Sequence, residues 1–224
     1  MRSNDHIRGV VFDFNGTLLW DTRLHNEAWD KFLRKHGIEL TDKQKNDVIH
    51  GKNNSLVLTA LFKRSLTEQE LDQYIHEKES IYFELCFLKG IDYAPGAERF
   101  IEFLKARHIP YAIATASVKE NVDFYFNHLR LGSLIERDKI IYDNHKIKSK
   151  PDPEIFLIAI DRLGLQSEEV VIFEDSIAGI HAAMRAKAGE IIIVNSNQED
   201  YSQFKFQVIT NFDQVNRNIF DRAI

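Results

Sequence analysis

The stretch Val10-Val11-Phe12-Asp13-Phe14-Asn15-Gly16-Thr17 joins an apolar run to a turn. Val10 to Phe12 is β-branched and aromatic, with no polar alternation. That is the pattern of a strand buried on both faces of a parallel sheet. Asn15-Gly16 then turns the chain, so Asp13 leaves the sheet at its carboxyl edge. Crevices at that edge of open α/β sheets bind ligands. A carboxylate there can hold a cation or attack an electrophile. The competing reading is a strand-ending turn capped by Asp and Asn.

Similar runs recur at Tyr111-Ala112-Ile113-Ala114, Val170-Val171-Ile172-Phe173 and Ile191-Ile192-Ile193-Val194, with weaker ones at Lys139-Ile140-Ile141 and Val208-Ile209-Thr210. Helical patterns separate them over 96–108, 152–164 and 176–188. In the second, Asp152 is the expected N-cap and Pro153 the first helical residue. Alternating strand and helix predict an α/β fold, a doubly wound Rossmann-like parallel sheet.

Residues 21–89 differ. Leu24, Ala28 and Phe32 form an apolar stripe, and Thr67-Glu68-Gln69-Glu70 is a capping box opening a long helix. No strand signal interrupts this block. It reads as an all-helical domain, 21–89, inserted into an α/β core made of 1–20 and 90–224.

Composition narrows the function. The 224 residues carry a net charge of -5, so no basic surplus points to nucleic acid or an anionic membrane. No apolar run approaches the ~20 residues that span a bilayer. Met1 to His6 meets the first strand without a signal-peptide pattern, and the single cysteine, Cys86, fits a reducing compartment, so a cytoplasmic protein is expected. The size is compatible with a monomer.

Three further strand ends carry chemistry. Thr115-Ala116-Ser117 offers hydroxyls and backbone N–H groups that can cradle a phosphate, or else cap a helix. Lys150, before Pro151, can hold an anion, or is a solvated surface charge. Glu174-Asp175 places two carboxylates side by side, which a cation would relieve; otherwise Asp175 and Ser176 open the next helix. Asp, Thr/Ser, Lys and Glu-Asp thus follow one another on one sheet edge.

In that order, the loops resemble the haloacid dehalogenase superfamily, in its β-phosphoglucomutase-like and phosphatase branch with a helical cap inserted after the first strand. His25-Asn26-Glu27-Ala28-Trp29 is similar to the first cap helix of these enzymes, and Tyr93-Ala94-Pro95-Gly96 to the return into the core. The resemblance implies a phosphatase-like hydrolase of a small phosphorylated metabolite working through an aspartyl-phosphate. Asp13 would attack phosphorus. Mg²⁺ would be held by Asp13, the Asn15 carbonyl and Asp175, with Glu174 in support. Thr115, the Ala116 backbone and Lys150 would hold phosphoryl oxygens, with Gly16, Thr17 and Ser117 beside them.

One position departs from the family. Its phosphatases place a second aspartate two residues after the nucleophile, as general acid and base. Asn15 stands here, and an amide cannot exchange a proton usefully, so turnover should be weakened by up to about 10²–10⁴-fold. His25 and Lys78 are the cap residues that could supply a proton instead, although a lysine on a charged helix is usually solvated. In the cap loop His50 to Ser55, Asn54 falls near the place where the mutase carries an arginine for a second phosphate, and Lys52 is the nearby cation. That favours a monophosphate hydrolase over a mutase. The alternatives are a non-catalytic phosphometabolite-binding protein, a β-phosphoglucomutase-like mutase and, as a minor one, a dehalogenase.

Overall fold

The alternation of Val10-Val11-Phe12 settles into two packed faces. In the computed structural model, which describes residues 7–221 apart from the side chains of Asp42 and Asn46, Val10 and Phe12 join one apolar cluster and Val11 another. The strand β1 (Gly9–Phe12) is therefore buried on both sides, as a parallel strand covered by helices must be. Met1 to His6, read above as leading into the first strand, lie outside the described residues.

The other strands are β2 (Tyr111–Val118), β3 (Ile140–Asp143), β4 (Val170–Glu174), β5 (Glu190–Val194) and β6 (Gln207–Ile209). They form one parallel sheet in the order β3-β2-β1-β4-β5-β6. The chain thus winds outward on one side of β1, then crosses to the other. The carboxyl edge beside β1 is the switch point where a crevice opens.

Four helices, α1 (Thr22–Lys35), α2 (Asp42–Val48), α3 (Asn54–Phe62) and α4 (Glu68–Lys89), fill the interval after β1. They share their own apolar cluster, built on Trp29, Phe32, Leu58 and Ile75 and closed by Val118 of β2. The capping box of α4 forms: Thr67 Oγ1 accepts from Glu70 N at 3.2 Å, and Thr67 N donates to Glu70 Oε2 at 2.8 Å.

Then come α5 (Ala97–Ala106), α6 (Lys119–His128), the short α7 (Leu131–Leu134), α8 (Glu154–Arg162) and α9 (Ile177–Arg185). Helices α8 and α9 cover the Val11 face. Helix α5 and Phe212 cover the other, where Phe12 packs on Phe173 at 5.1 Å and on Phe100 at 6.1 Å. One detail of the sequence reading changes. Pro153 rather than Asp152 is the N-cap of α8, and Asp152 Oδ1 accepts from Glu154 N at 3.0 Å. Pro153 has no N–H to bond, so Asp152 reaches the next free one.

Candidate active site

The turn after β1 can form only because position 16 is glycine. Gly16 has φ +82, and a Cβ there would lie 2.1 Å from Asp175 Oδ2. The loop therefore presses against the end of β4. Thr17 Oγ1 reinforces this by donating to Asp175 Oδ1 at 3.3 Å. A second glycine works in the same way: a Cβ on Gly179 would meet Glu174 Oε1 at 1.8 Å. Helix α9 can thus start tight against Glu174, with Ser176 accepting from Gly179 N at 3.0 Å. Ser176, not Asp175, caps this helix, which leaves the Asp175 carboxylate available to the crevice.

Lys150 crosses from the loop after β3 to join these carboxylates. Its Nζ lies 2.5 Å from Asp13 Oδ1 and 2.7 Å from Glu174 Oε1, and the residue is 1% exposed. The reading of Lys150 as a solvated surface charge is therefore set aside. Glu174 Oε2 accepts from Ser176 N at 2.5 Å and from Ser176 Oγ at 3.1 Å.

Two carboxylates share this one ammonium, with the Asp175 carboxylate beside them, and the electrostatics follow. Burial, helped by the charge of Glu174 and opposed by Lys150, pushes Asp13 up to about 7. Burial, with Glu174 and Asp13 beside it, pushes Asp175 well above the usual carboxylate range. Burial would pull Lys150 down, but the charges of Asp13 and Glu174 outweigh it and hold it above its ordinary value. Oxygen atoms of Asp13, Glu174 and Asp175 lie within 4.8 Å of one another. An excess of buried negative charge on hard oxygen donors fits a small divalent cation.

A cavity opens above this cluster. Asp13, Asn15 and Asp175 form its floor, with Thr115, Ala116 and Ser117 on one side. His25, Lys52, Asn54 and Lys78 face them from the helical segment, so all four expected there do line the cavity. Gly16, Thr17, Lys150 and Glu174 do not line it: Lys150 and Glu174 are buried against Asp13, and Gly16 and Thr17 press on Asp175. The alternative that Thr115 or Ser117 caps a helix does not hold. Strand β2 runs on to Val118, and both hydroxyls instead donate to Asn15 Oδ1, at 3.3 Å and 2.7 Å.

On the helical side the polar groups are paired among themselves. Lys78 is buried rather than solvated: its Nζ donates to His25 Nδ1 at 2.9 Å and Glu79 Oε1 at 3.0 Å, above the ring of Trp29. Asn54 Nδ2 also donates to Glu79 Oε1, at 2.8 Å, and Asn121 of α6 donates to Glu79 Oε2 at 2.8 Å. Burial would raise Glu79, but Lys78, His25 and the two amides together hold it below its ordinary value. Lys52 donates to the Asp47 carbonyl.

Glu79, Asn121, Tyr82, Tyr125 and Asp21 escaped the sequence reading. Glu79 looks like one acid among many on α4. Asp21 looks like a helix cap, yet its side chain makes no capping bond to α1 and turns inward to Asn15 instead. Its spacing, six residues after Asn15, is the one signal that could have drawn notice.

Comparison with known proteins agrees with this geometry. The chain is 27% identical over 183 residues to a phosphorylated carbohydrates phosphatase of Thermotoga maritima, covering 80% of this chain and 82% of that protein. It is 26% identical to hexitol phosphatase A of Escherichia coli over 95% of this chain and 97% of the other. Among solved structures, a hydrolase of family IA, variant 3, from Entamoeba histolytica superimposes with a TM-score of 0.83 at 31% identity, over 96% of this chain and 98% of that one. The family model of the haloacid dehalogenase-like hydrolases matches residues 7–187, and the chain belongs to that family.

Proposed function

We propose that the protein is a Mg²⁺-dependent phosphatase of a small phosphorylated metabolite, a sugar or polyol monophosphate being the class its relatives suggest. In this reading residues 21–89 are a cap over a core of 1–20 and 90–224. The observation that carries it is the meeting of Asp13 and Asp175 at the floor of one cavity, with Lys150 and Glu174 buried directly against Asp13.

An Asp13 carboxylate oxygen attacks phosphorus, and the bond to the ester oxygen breaks. The phosphoryl group is then an acyl phosphate on Asp13. Water attacks that phosphorus, inorganic phosphate leaves and the Asp13 carboxylate returns. Lys150, the Thr115 hydroxyl and the Ala116 N–H neutralise charge on the phosphoryl oxygens in a loose transition state. Asp13, the Asn15 carbonyl and Asp175 would hold Mg²⁺, with Glu174 behind them. The ion would supply charge stabilisation on the phosphoryl group.

Asn15 cannot protonate the departing oxygen, so substrates with good leaving groups should turn over best. The cap supports hydrolysis rather than mutation. Its one cation on the loop, Lys52, is tied to a backbone carbonyl, and Asn54 is engaged by Glu79, so no bidentate grip on a second phosphate is offered. The test is steady-state hydrolysis of acetyl phosphate and 4-nitrophenyl phosphate with Mg²⁺. Native protein should turn over both, acetyl phosphate faster, and Asp13→Asn should abolish it. Saturable phosphate-ester binding without turnover would make it a binding protein instead.

A further inference from the structure

The cavity floor has a support that comes from the far end of the chain. Asp175 is the first residue past the ladder of β4 with β5, whose register ends at Glu174 against Ile193. Its carboxylate lies within 4.8 Å of those of Asp13 and Glu174, and like charges away from water push one another apart. The backbone must hold Asp175 in place against that push. The peptide group between Asp175 and Ser176 is pinned at both ends. Its N–H, on Ser176, donates to Glu174 Oε2 at 2.5 Å. Its carbonyl, on Asp175, accepts from the Tyr201 hydroxyl. A planar peptide held at both its donor and its acceptor resists rotation, which fixes the direction in which the Asp175 side chain leaves the backbone.

Tyr201 reaches this peptide on a loop that is itself built. After β5, Asn195 N donates to the Ile209 carbonyl at 2.7 Å. The Asn195 side chain then closes a turn on Glu199: Nδ2 donates to its carbonyl and Oδ1 accepts from its N–H, each at 3.0 Å. Phe204 N donates to the Tyr201 carbonyl at 2.9 Å. Tyr201 packs with Ile180 of α9 and Ile193 of β5, beside Phe204 and Phe206, and is 7% exposed. A phenylalanine would serve that packing equally well. The hydroxyl adds one bond, and it goes to the backbone of an expected metal ligand 26 residues away. This loop also lies beyond residues 7–187, the stretch that the family model matches. We propose that Tyr201 is a positioning residue for the divalent cation: it clamps the Asp175–Ser176 peptide and so keeps the Asp175 carboxylate at the cavity floor. This rests on the Mg²⁺ reading above.

The experiment compares native protein, Tyr201→Phe and Phe204→Leu as full chains. Phe204→Leu disturbs the same cluster and leaves the hydroxyl in place. Mg²⁺ binding is measured by titration calorimetry without substrate, and hydrolysis of 4-nitrophenyl phosphate is followed against Mg²⁺ concentration. Tyr201→Phe should raise the Mg²⁺ Kd about tenfold, the lower end of what losing a partner of a metal ligand costs. The Mg²⁺ needed for half-maximal hydrolysis should rise by the same factor, with little change in kcat once Mg²⁺ saturates. Phe204→Leu should lower the melting midpoint in chelator and keep the native Kd. An unchanged Kd in Tyr201→Phe overturns the proposal, and so does an equal loss of affinity in both variants, since packing alone would then account for it. If Tyr201→Phe does not fold, Asn195→Ala, which opens the turn carrying Tyr201, takes its place. If native protein takes up no Mg²⁺, the metal reading fails by itself, and hydrogen exchange at the Ser176 amide decides for Tyr201. Exchange should be faster in Tyr201→Phe than in native protein or Phe204→Leu, and an unchanged rate overturns the clamp.

Discussion

Gly16 shows how one missing methyl group assembles this site. A Cβ would strike Asp175 Oδ2 at 2.1 Å, and φ +82 adds a backbone penalty of about 1–2 kcal/mol for any other residue. Gly16→Ala should therefore lose both stability and activity, read by thermal melting and by hydrolysis of 4-nitrophenyl phosphate. Gly37 is the control. It also has positive φ, +65, but nothing lies within 4 Å of its Cβ position. Gly37→Ala should cost about 1–2 kcal/mol and leave turnover unchanged. If both variants kept full activity, close approach of the first loop to Asp175 would not matter to catalysis. At this scale the sequence was legible for residue type and not for partner. Asp13, Lys150, Glu174 and Asp175 stand out by position, whereas the pairing of Lys150 with Asp13 spans 137 residues.

Among the elements, α4 carries the most consequential pair. Glu79 is buried between Lys78, Asn54 and Asn121, and so binds α4 to α3 and α6 at once. Glu79→Ala would leave an ammonium buried with less compensation and two amides short of an acceptor. A loss of about 3–5 kcal/mol is expected, measured by urea unfolding at neutral pH. The segment between α2 and α3 supplies a pH dependence. His50 Nε2 donates to Asn26 Oδ1, 2.8 Å away, and burial, with His25 and Lys45 nearby, lowers His50 from 6.5 to about 4. The fold thus favours the neutral ring. That preference stabilises fully above pH 6.5 and is lost as pH falls through about 4, amounting to about 3 kcal/mol at most. Native protein should lose more stability than His50→Gln between pH 7.5 and 4.5, and parallel curves would dismiss the effect.

Across the whole molecule, the sheet order gathers four loops at one edge, and the helical segment closes over them. Asn53 N donates to Ser149 Oγ at 2.9 Å, and Asn121 donates to Glu79, so the two halves touch on both sides of the cavity. On the proposed reading, the excess negative charge at the floor would bind a divalent cation. Mg²⁺ at about 100 times its Kd should stabilise the protein by about 2.7 kcal/mol, seen as a higher melting midpoint than in a chelator. Asp175→Asn should shrink that increment, and an unchanged midpoint in native protein would remove the ion from the site.

The four clear apolar runs pointed to the parallel sheet, because a strand covered on both faces needs apolar residues at successive positions, and three of the four are dominated by β-branched residues, unlike the apolar run inside α8. Even the weak runs at Ile140 and Val208 belong to strands. Glycine, hydroxyl and acidic residues at the run ends likewise marked the edge at which the cavity opens. Lys78 in its buried pair, Glu79 joining three helices and Asp21 behind Asn15 were decided only by the tertiary structure. A charged side chain looks the same in sequence whether water or another chain segment solvates it. Its partners here lie far along the chain, and only packing brings them within hydrogen-bonding distance.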